Sequence, residues 1–479
     1  MKRISAVIAL MLLMFGTADA KLTVSDIFTD GLVLQQNTEA AIWGRADSGT
    51  QVTVSTSWNG KSYRARTGTD GKWKVEVSTP KGSYQSYTIT VRGNGESITL
   101  NDILIGEVWL ASGQSNMEMP MRGFYNSPIE HAQDYICAPA AKDKIRMFTV
   151  PARQSYEPLE DIDAEWVGAE PATVPGMSAT AYFFAHKLNL MLDIPVGIVS
   201  CAYGGSRVES WTPKEILETY PDEDLRRETI EATEHYTRPY LAYNAMLNPV
   251  KGYTIKGFIW YQGCSNVGRH EQFVERMGNM VNHWRECWND AAAELPFYMV
   301  EIAPYRYKPQ NSISFAALLR NAQHEAAKVI PNCGIVVTND LVDSFEKDNI
   351  HPMRKKEIGD RLARLALNRQ YGFTTITCES PEAFRCRRGE RPNELVVEIS
   401  NCQNGLNRCD EIEGLEIAGD DNIFYPVSFA FYVWDKALLV RSEFVPDPTQ
   451  VRYGWGDFKP GNLKSCQDLP VAPFWLKAE

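Results

Sequence analysis

The chain has 479 residues, carries 60 acidic and 49 basic side chains for a formal charge of −11, and is 44% hydrophobic. This is an ordinary globular composition and allows two or three domains, because single cores stop growing near ~250–300 residues. An acidic chain without a basic run repels phosphate backbones, so nucleic acid is excluded as an expected partner.

The first twenty residues read as an export signal. Lys2 and Arg3 give a positive start, Ile4 to Phe15 is an uncharged apolar run, and Ala18-Asp19-Ala20 is an A-x-A cleavage site. The apolar run is short of the ~20 residues that span a bilayer, and no later segment is long and apolar enough to do so. The reading is a soluble protein, periplasmic or extracellular after cleavage, without stable membrane insertion. Lys21 rather than a cysteine follows the cut, so no lipid anchor is expected. Removing Lys2, Arg3 and Asp19 takes away a net +1 and leaves −12.

From Lys21 to about Asn101 short alternating runs, Gln51–Trp58, Trp73–Val77, Tyr84–Val91 and Ser97–Leu100, predict an N-terminal β-sandwich over residues 21–101. Asp70-Gly71 has the composition of a hairpin turn. Trp43, Trp58, Trp73 and Tyr84 could offer faces to a sugar, but scaffold is the better reading for tryptophans in a small sandwich.

The rhythm changes at Asp102. Gly106–Ala111, Val196–Ser200, Gly257–Tyr261, Phe297–Ile302 and Gly334–Thr338 are continuous apolar runs, as in the buried strands of a parallel sheet. Thr180–Leu192, Gln272–Trp288, Phe315–Val329 and Arg354–Arg369 carry helical periodicity between them. Alternation of this kind predicts a three-layer α/β domain over residues 102–374. In such sheets ligands bind beyond the carboxyl ends of the strands.

Beyond Gly372 the helical period is lost. Leu395–Ile399, Val427–Val433 and Leu438–Val440 predict a β-rich region over residues 375–479, which either completes the first sandwich or caps the α/β domain. The ten cysteines divide five and five between the central and C-terminal regions. Disulfides are compatible with export, and the C-terminal group is the better candidate for them. The spacing fixes no connectivity and suggests no metal site.

Four loops follow strands of the α/β region. Gly113-Gln114-Ser115-Asn116 puts a serine beside a glycine that permits a tight turn, although it is not the G-x-S-x-G elbow. Asp348-Asn349-Ile350-His351 supplies a histidine, whose pKa suits a base near neutrality, and an acid three residues before it. The base needs such a partner to fix its tautomer, with Asp340 and Asp343 as less well-spaced alternatives. His186, His283 and His324 fall inside helical patterns. Tyr203-Gly204-Gly205-Ser206 and Gln262-Gly263-Cys264-Ser265-Asn266 could give backbone or amide donors to a developing oxyanion.

Ile105–Met119 (IGEVWLASGQSNMEM), Tyr203–Trp211 (YGGSRVESW), Trp260–Asn266 (WYQGCSN) and Asp348–Pro352 (DNIHP) resemble the blocks of the sialate O-acetylesterase family, within the SGNH-type hydrolases. The resemblance extends to Leu32–Gln35, Phe297–Tyr305, the Arg320…Gln323 pair and Val451–Trp455. It implies Ser115 as nucleophile and first oxyanion N–H, and Gly205 rather than Gly204 as the second. It implies Gln262 or Asn266 as an amide donor, His351 as base and Asp348 as its orienting partner. No metal or organic cofactor is implied. The expected activity is hydrolysis of O-acetyl groups on sialic acids through an acyl-enzyme. Two alternatives stay open: the same chemistry on xylan or pectin, or a non-catalytic glycan-binding protein. One position departs from the pattern, because Cys264 stands where the family has glutamate.

Overall fold

The computed structural model describes residues 21–140, 144–290, 292–307, 314–409, 411–433 and 437–479; the expected export signal lies outside the described residues. The apolar runs become the strands of one sheet because their side chains alternate between two buried faces. In β1 (Glu96–Gly113), Val108 and Leu110 enter the core that faces α3 (His270–Cys287) and α4 (Phe315–Val329). Trp109 and Ala111 enter the opposite core, against α2 (Ala179–Leu192) and α5 (Lys355–Tyr371). A strand covered on both sides has no polar face to alternate, and this explains its unbroken apolar sequence.

The sheet also holds β2 (Ile145–Thr149), β3 (Trp166–Gly168), β4 (Val196–Ala202), β5 (Gly257–Tyr261), β6 (Phe297–Val300) and β7 (Cys333–Val336). Their order is β3-β2-β4-β1-β5-β6-β7, parallel except for the edge strand β3. The chain winds to one side of β1 and then to the other. The crevice of a doubly wound sheet therefore opens at the carboxyl end of β1, where Ser115 follows. The strands β2 and β3 were not expected, being short and poorly patterned.

β1 runs for 18 residues and serves two sheets. Its first half pairs antiparallel with Ser83–Gly93 of the N-terminal β structure, and its second half pairs parallel with β4. The border expected after Asn101 thus falls inside a strand. Asp70-Gly71 does form a turn, with the Gly71 N–H 3.1 Å from the Gly68 carbonyl. It is not a hairpin between paired strands, however: Ser62–Arg66 pairs with Gln51–Thr56, whereas Lys72–Ser78 pairs with Glu39–Arg45 in the facing sheet. Trp73 is buried, Trp43 and Trp58 pack against the core, and the Tyr84 hydroxyl is held by Asn189 and Asp193.

The C-terminal region forms two four-stranded antiparallel sheets around a core of its own, including Leu395, Val397, Leu438, Ile417, Val451 and Tyr453. It caps the α/β domain: Ala316 N–H bonds the Asp457 carboxylate at 3.0 Å, and Asn339 Nδ2 bonds the Val471 carbonyl at 3.0 Å. Cys378, Cys386 and Cys466 are free thiols, so the disulfides favoured for this region do not involve them. Among the described residues no helix is long and apolar enough to cross a membrane.

Candidate active site

Backbone geometry places the serine. At the end of β1, Gly113 has φ +132°, and a Cβ there would lie 2.3 Å from the Tyr261 carbonyl oxygen, so only glycine fits. The Gln114 N–H then bonds that same carbonyl at 2.9 Å, and its side-chain Oε1 accepts the Gly263 N–H at 2.9 Å. Ser115 opens the single-turn helix α1 (Ser115–Glu118), where the first N–H groups have no intrahelical acceptor.

His351 arrives on the loop between β7 and α5. Its Nε2 lies 2.9 Å from Ser115 Oγ, within reach for proton transfer. The edge of Phe124 packs on the imidazole, with ring centroids 5.2 Å apart. Asn116 fastens the two loops: its Nδ2 donates to the Ile350 carbonyl at 3.0 Å, and its Oδ1 accepts from Lys355 Nζ at 2.7 Å. Lys355 also donates to the Pro352 carbonyl at 2.8 Å. Burial in these neutral surroundings pushes the Lys355 ammonium down to about 7. Burial, and then the charge of Lys355, push His351 down to about 4.

A base must be neutral to accept a proton, and a lowered pKa keeps it neutral further into acid. Esterase kcat/KM should therefore fall only as the pH drops through about 4, below the ~6.5 of an unperturbed imidazole. A pH profile on p-nitrophenyl acetate checks this. A midpoint at or above the unperturbed value would show that the imidazole is not held neutral in this way.

The bond expected between Asp348 and the imidazole is absent from this arrangement. The Asp348 carboxylate forms a two-pronged pair with Arg306, Nε to Oδ1 at 2.8 Å and Nη2 to Oδ2 at 2.7 Å, and both side chains are more than half exposed. Among the described residues His351 Nδ1 has no hydrogen-bond partner. The alternative acids are engaged elsewhere. Asp340 is buried between Arg361 and Lys464, and Asp343 pairs with Arg354 at 2.7 Å. His324 bonds buried Glu301 at 2.6 Å, and His283 lies 2.8 Å from the Tyr243 hydroxyl.

The glycine loop after β4 reaches the serine. A Cβ on Gly204 would lie 3.6 Å from Ser115 Cβ and 2.8 Å from Glu118 Oε2. Burial pushes the Glu118 carboxyl up. Gly205 has φ +75°, and a Cβ there would meet the Tyr236 ring at 2.4 Å. Among the described residues the N–H groups of Ser115, Gly204 and Gly205 have no hydrogen-bond partner.

Gln262 and Asn266, expected as amide donors, are turned inward. Gln262 Nε2 donates to the Ser206 carbonyl at 3.0 Å and to Asn266 Oδ1 at 2.7 Å. Asn266 Nδ2 donates to Glu209 at 3.0 Å, and its Oδ1 also accepts the Val208 N–H at 3.2 Å. Both amides brace the segment that follows Gly205. The reason is charge: Glu209 is buried beside Arg276 and needs further donors.

Cys264 is 9% exposed, and burial pushes its thiol up. It lies beside Tyr307 and Gln114, with Lys355 and Arg320 close enough to act on its charge. Arg320 is fully buried, and among the described residues its Nε and Nη1 have no partner, nor does the Tyr307 hydroxyl. A carboxylate at this position would meet these donors. Cys264→Glu should accordingly raise the melting temperature without lowering turnover, and Cys264→Ser should cost far less activity than Ser115→Ala. A Cys264→Ser variant as inactive as Ser115→Ala would place the thiol in the chemistry.

Sequence reading missed Glu118, Asn116, Lys355 and Arg306. The i, i+3 spacing of Ser115 and Glu118 was available as a signal, but a four-residue helix leaves no periodicity to find. Among the described residues no group of three or more His, Cys, Asp or Glu side chains is arranged to hold a metal ion.

Residues 105–368 match the family model described as carbohydrate esterase, sialic acid-specific acetylesterase. The sialate O-acetylesterase of Mus musculus is 26% identical over 92% of each chain. That of Homo sapiens is 25% identical over 74% of this chain and 72% of its own. The crystal structure of a carbohydrate acetylesterase from Xanthomonas citri is 30% identical, covers 95% of this chain and 99% of its own, and superposes with a TM-score of 0.83.

Proposed function

The chain belongs to the sialic acid-specific acetylesterase family of carbohydrate esterases, and from that premise we propose that it is an exported enzyme that removes O-acetyl groups from sialic acids through an acyl-enzyme. The observation that carries the mechanism is the 2.9 Å contact between Ser115 Oγ and His351 Nε2 at the switch point of the sheet. His351 takes the hydroxyl proton as Ser115 Oγ attacks the acetyl carbonyl. The oxyanion of the tetrahedral intermediate is received by the N–H groups of Ser115 and Gly205. The imidazolium then protonates the departing sugar oxygen. Water, activated by the same imidazole, releases acetate and restores the serine. Gln262 and Asn266 support the oxyanion loop from beneath.

Asp348 completes the set by turning from Arg306 to His351 Nδ1 as positive charge develops on the ring. An exposed ion pair is worth only about 0–1 kcal/mol, so the exchange costs little. Asp348→Asn should then lower kcat by about tenfold or more, through loss of tautomer control, while Arg306→Ala should leave kcat unchanged or raise it. Equal losses in the two variants would make Asp348 merely the partner of Arg306.

The likeness to the Xanthomonas citri carbohydrate acetylesterase favours a second reading, the same chemistry on another acetylated glycan such as xylan or pectin. Acetate release from O-acetylated sialic acid, xylan and pectin fragments, compared by kcat/KM, decides between them. Turnover confined to the plant polysaccharides would overturn the sialate reading.

A further inference from the structure

We propose that a small monovalent anion of chloride size binds at the Gln262–Cys264 turn, against the guanidinium of Arg320. The site takes no part in acyl transfer, and the inference does not rest on the sialate reading.

Arg320 leaves α4 and is fully buried. Its Nη2 donates to the Gly456 carbonyl and, at 3.3 Å, to the Gly454 carbonyl. Among the described residues its Nε and Nη1 have no partner. The two carboxylates whose charge reaches it are engaged elsewhere, Glu301 with His324 at 2.6 Å and Asp457 with the Ala316 N–H at 3.0 Å. Gln323, one helical turn along the same face, locates the guanidinium. Its Nε2 donates to the Gln262 carbonyl at 3.0 Å and would lie 2.8 Å from a Cβ on Gly263. The loop that bears Tyr307 is tied to the same place, because the Tyr305 N–H bonds the Asp457 carbonyl at 3.0 Å, next to the Gly456 carbonyl that holds Arg320. The buried Tyr307 hydroxyl also lacks a partner among the described residues. A second buried basic group, Lys355, stands across the turn and is held by neutral oxygens alone. Gln114 Oε1 accepts the Gly263 N–H at 2.9 Å, and two residues on Asn116 Oδ1 accepts from Lys355 Nζ at 2.7 Å.

A guanidinium keeps its proton in a protein interior, and a buried charge is costly unless it is paired. At this turn Cys264 is a neutral thiol, since burial pushes its pKa up, and it lacks the carboxylate of the family pattern. The groups left over are donors: Arg320 Nε and Nη1 and the Tyr307 hydroxyl. Water can accept from them but brings no charge. A small anion accepts from them and neutralises the guanidinium as well.

The test is thermal unfolding in sodium chloride and in sodium gluconate at equal ionic strength and neutral pH, gluconate being too large for the site. Wild type should melt about 2–4 °C higher in chloride, because an ion bound only by the folded chain stabilises it. Cys264→Glu carries its own carboxylate to Arg320. It should melt in gluconate at least as high as wild type does in chloride, and its chloride increment should shrink to under about 1 °C. Arg320→Gln removes the charge and should lose the increment altogether. Crystals of the wild type grown in sodium bromide should show anomalous density at hydrogen-bonding distance from Arg320 Nε or Nη1, and crystals of Cys264→Glu should not. Equal melting temperatures of wild type in the two salts would overturn the proposal and leave these donors to water. A full chloride increment in Cys264→Glu would overturn it too, since the ion would then bind elsewhere. If Arg320→Gln does not fold, Cys264→Glu and the bromide density decide: density beside Arg320 with a diminished increment supports the site, and the lack of either refutes it.

Discussion

Ser115→Ala and His351→Ala should each lower acetate release by about 10⁴- to 10⁶-fold, and the double variant should lose little more. The oxygen and the nitrogen are 2.9 Å apart and act on one proton. Removing either leaves the other without a task, because a hydroxyl without a base is a poor nucleophile and the base alone has nothing to activate. What remains in any of the three variants is catalysis by binding and by the N–H groups of the oxyanion loop. The measurement is single-turnover and steady-state hydrolysis of p-nitrophenyl acetate, with folding verified by thermal unfolding. Losses that multiply in the double variant would mean that the two residues act in separate steps.

Gly205→Ala has the second largest expected effect, a fall in kcat of about 10²- to 10³-fold, comparable to deletion of an oxyanion donor. Two features work against the methyl group. At φ +75° an L-residue is strained by roughly 1–2 kcal/mol, and the new Cβ would lie 2.4 Å from the Tyr236 ring. The loop must shift, and its N–H moves with it. The ground-state carbonyl needs that N–H less than the oxyanion does, so KM should change little. Adding Tyr236→Ala clears the clash and should return part of kcat. A Gly205→Ala enzyme with full kcat would remove the Gly205 N–H from the mechanism.

The α/β domain was legible because burial on both faces writes itself as composition. Gly257–Tyr261 and Phe315–Val329 were read with the bounds they have in the structure, and Val196–Ser200 fell two residues short. Of the strands missed, Trp166–Gly168 is a three-residue edge strand with one partner, and Ile145–Thr149 beside it is short and interrupted by Arg146, so each leaves a weak pattern. The N-terminal border expected after Asn101 falls inside β1. β1 passes from one sheet to another without a turn residue to mark the change.

What the sequence alone determined is which loops meet. Apolar runs followed by Gly113-Gln114-Ser115, Gly204-Gly205 and Gln262-Gly263 must open at one edge of one sheet, and the loop of His351 opens there too. Helical crossovers between successive strands make them parallel, and strand direction fixes the edge at which the loops emerge. Only the tertiary structure decided which atoms in those loops are available to a substrate. Asp348 is drawn to Arg306 from the loop after β6, and the Gln262 and Asn266 amides are drawn inward toward Ser206 and Glu209. Each choice is a competition among hydrogen-bond partners far apart in the chain. Distance and angle settle such competitions, and neither is encoded in the spacing of residues along a single loop.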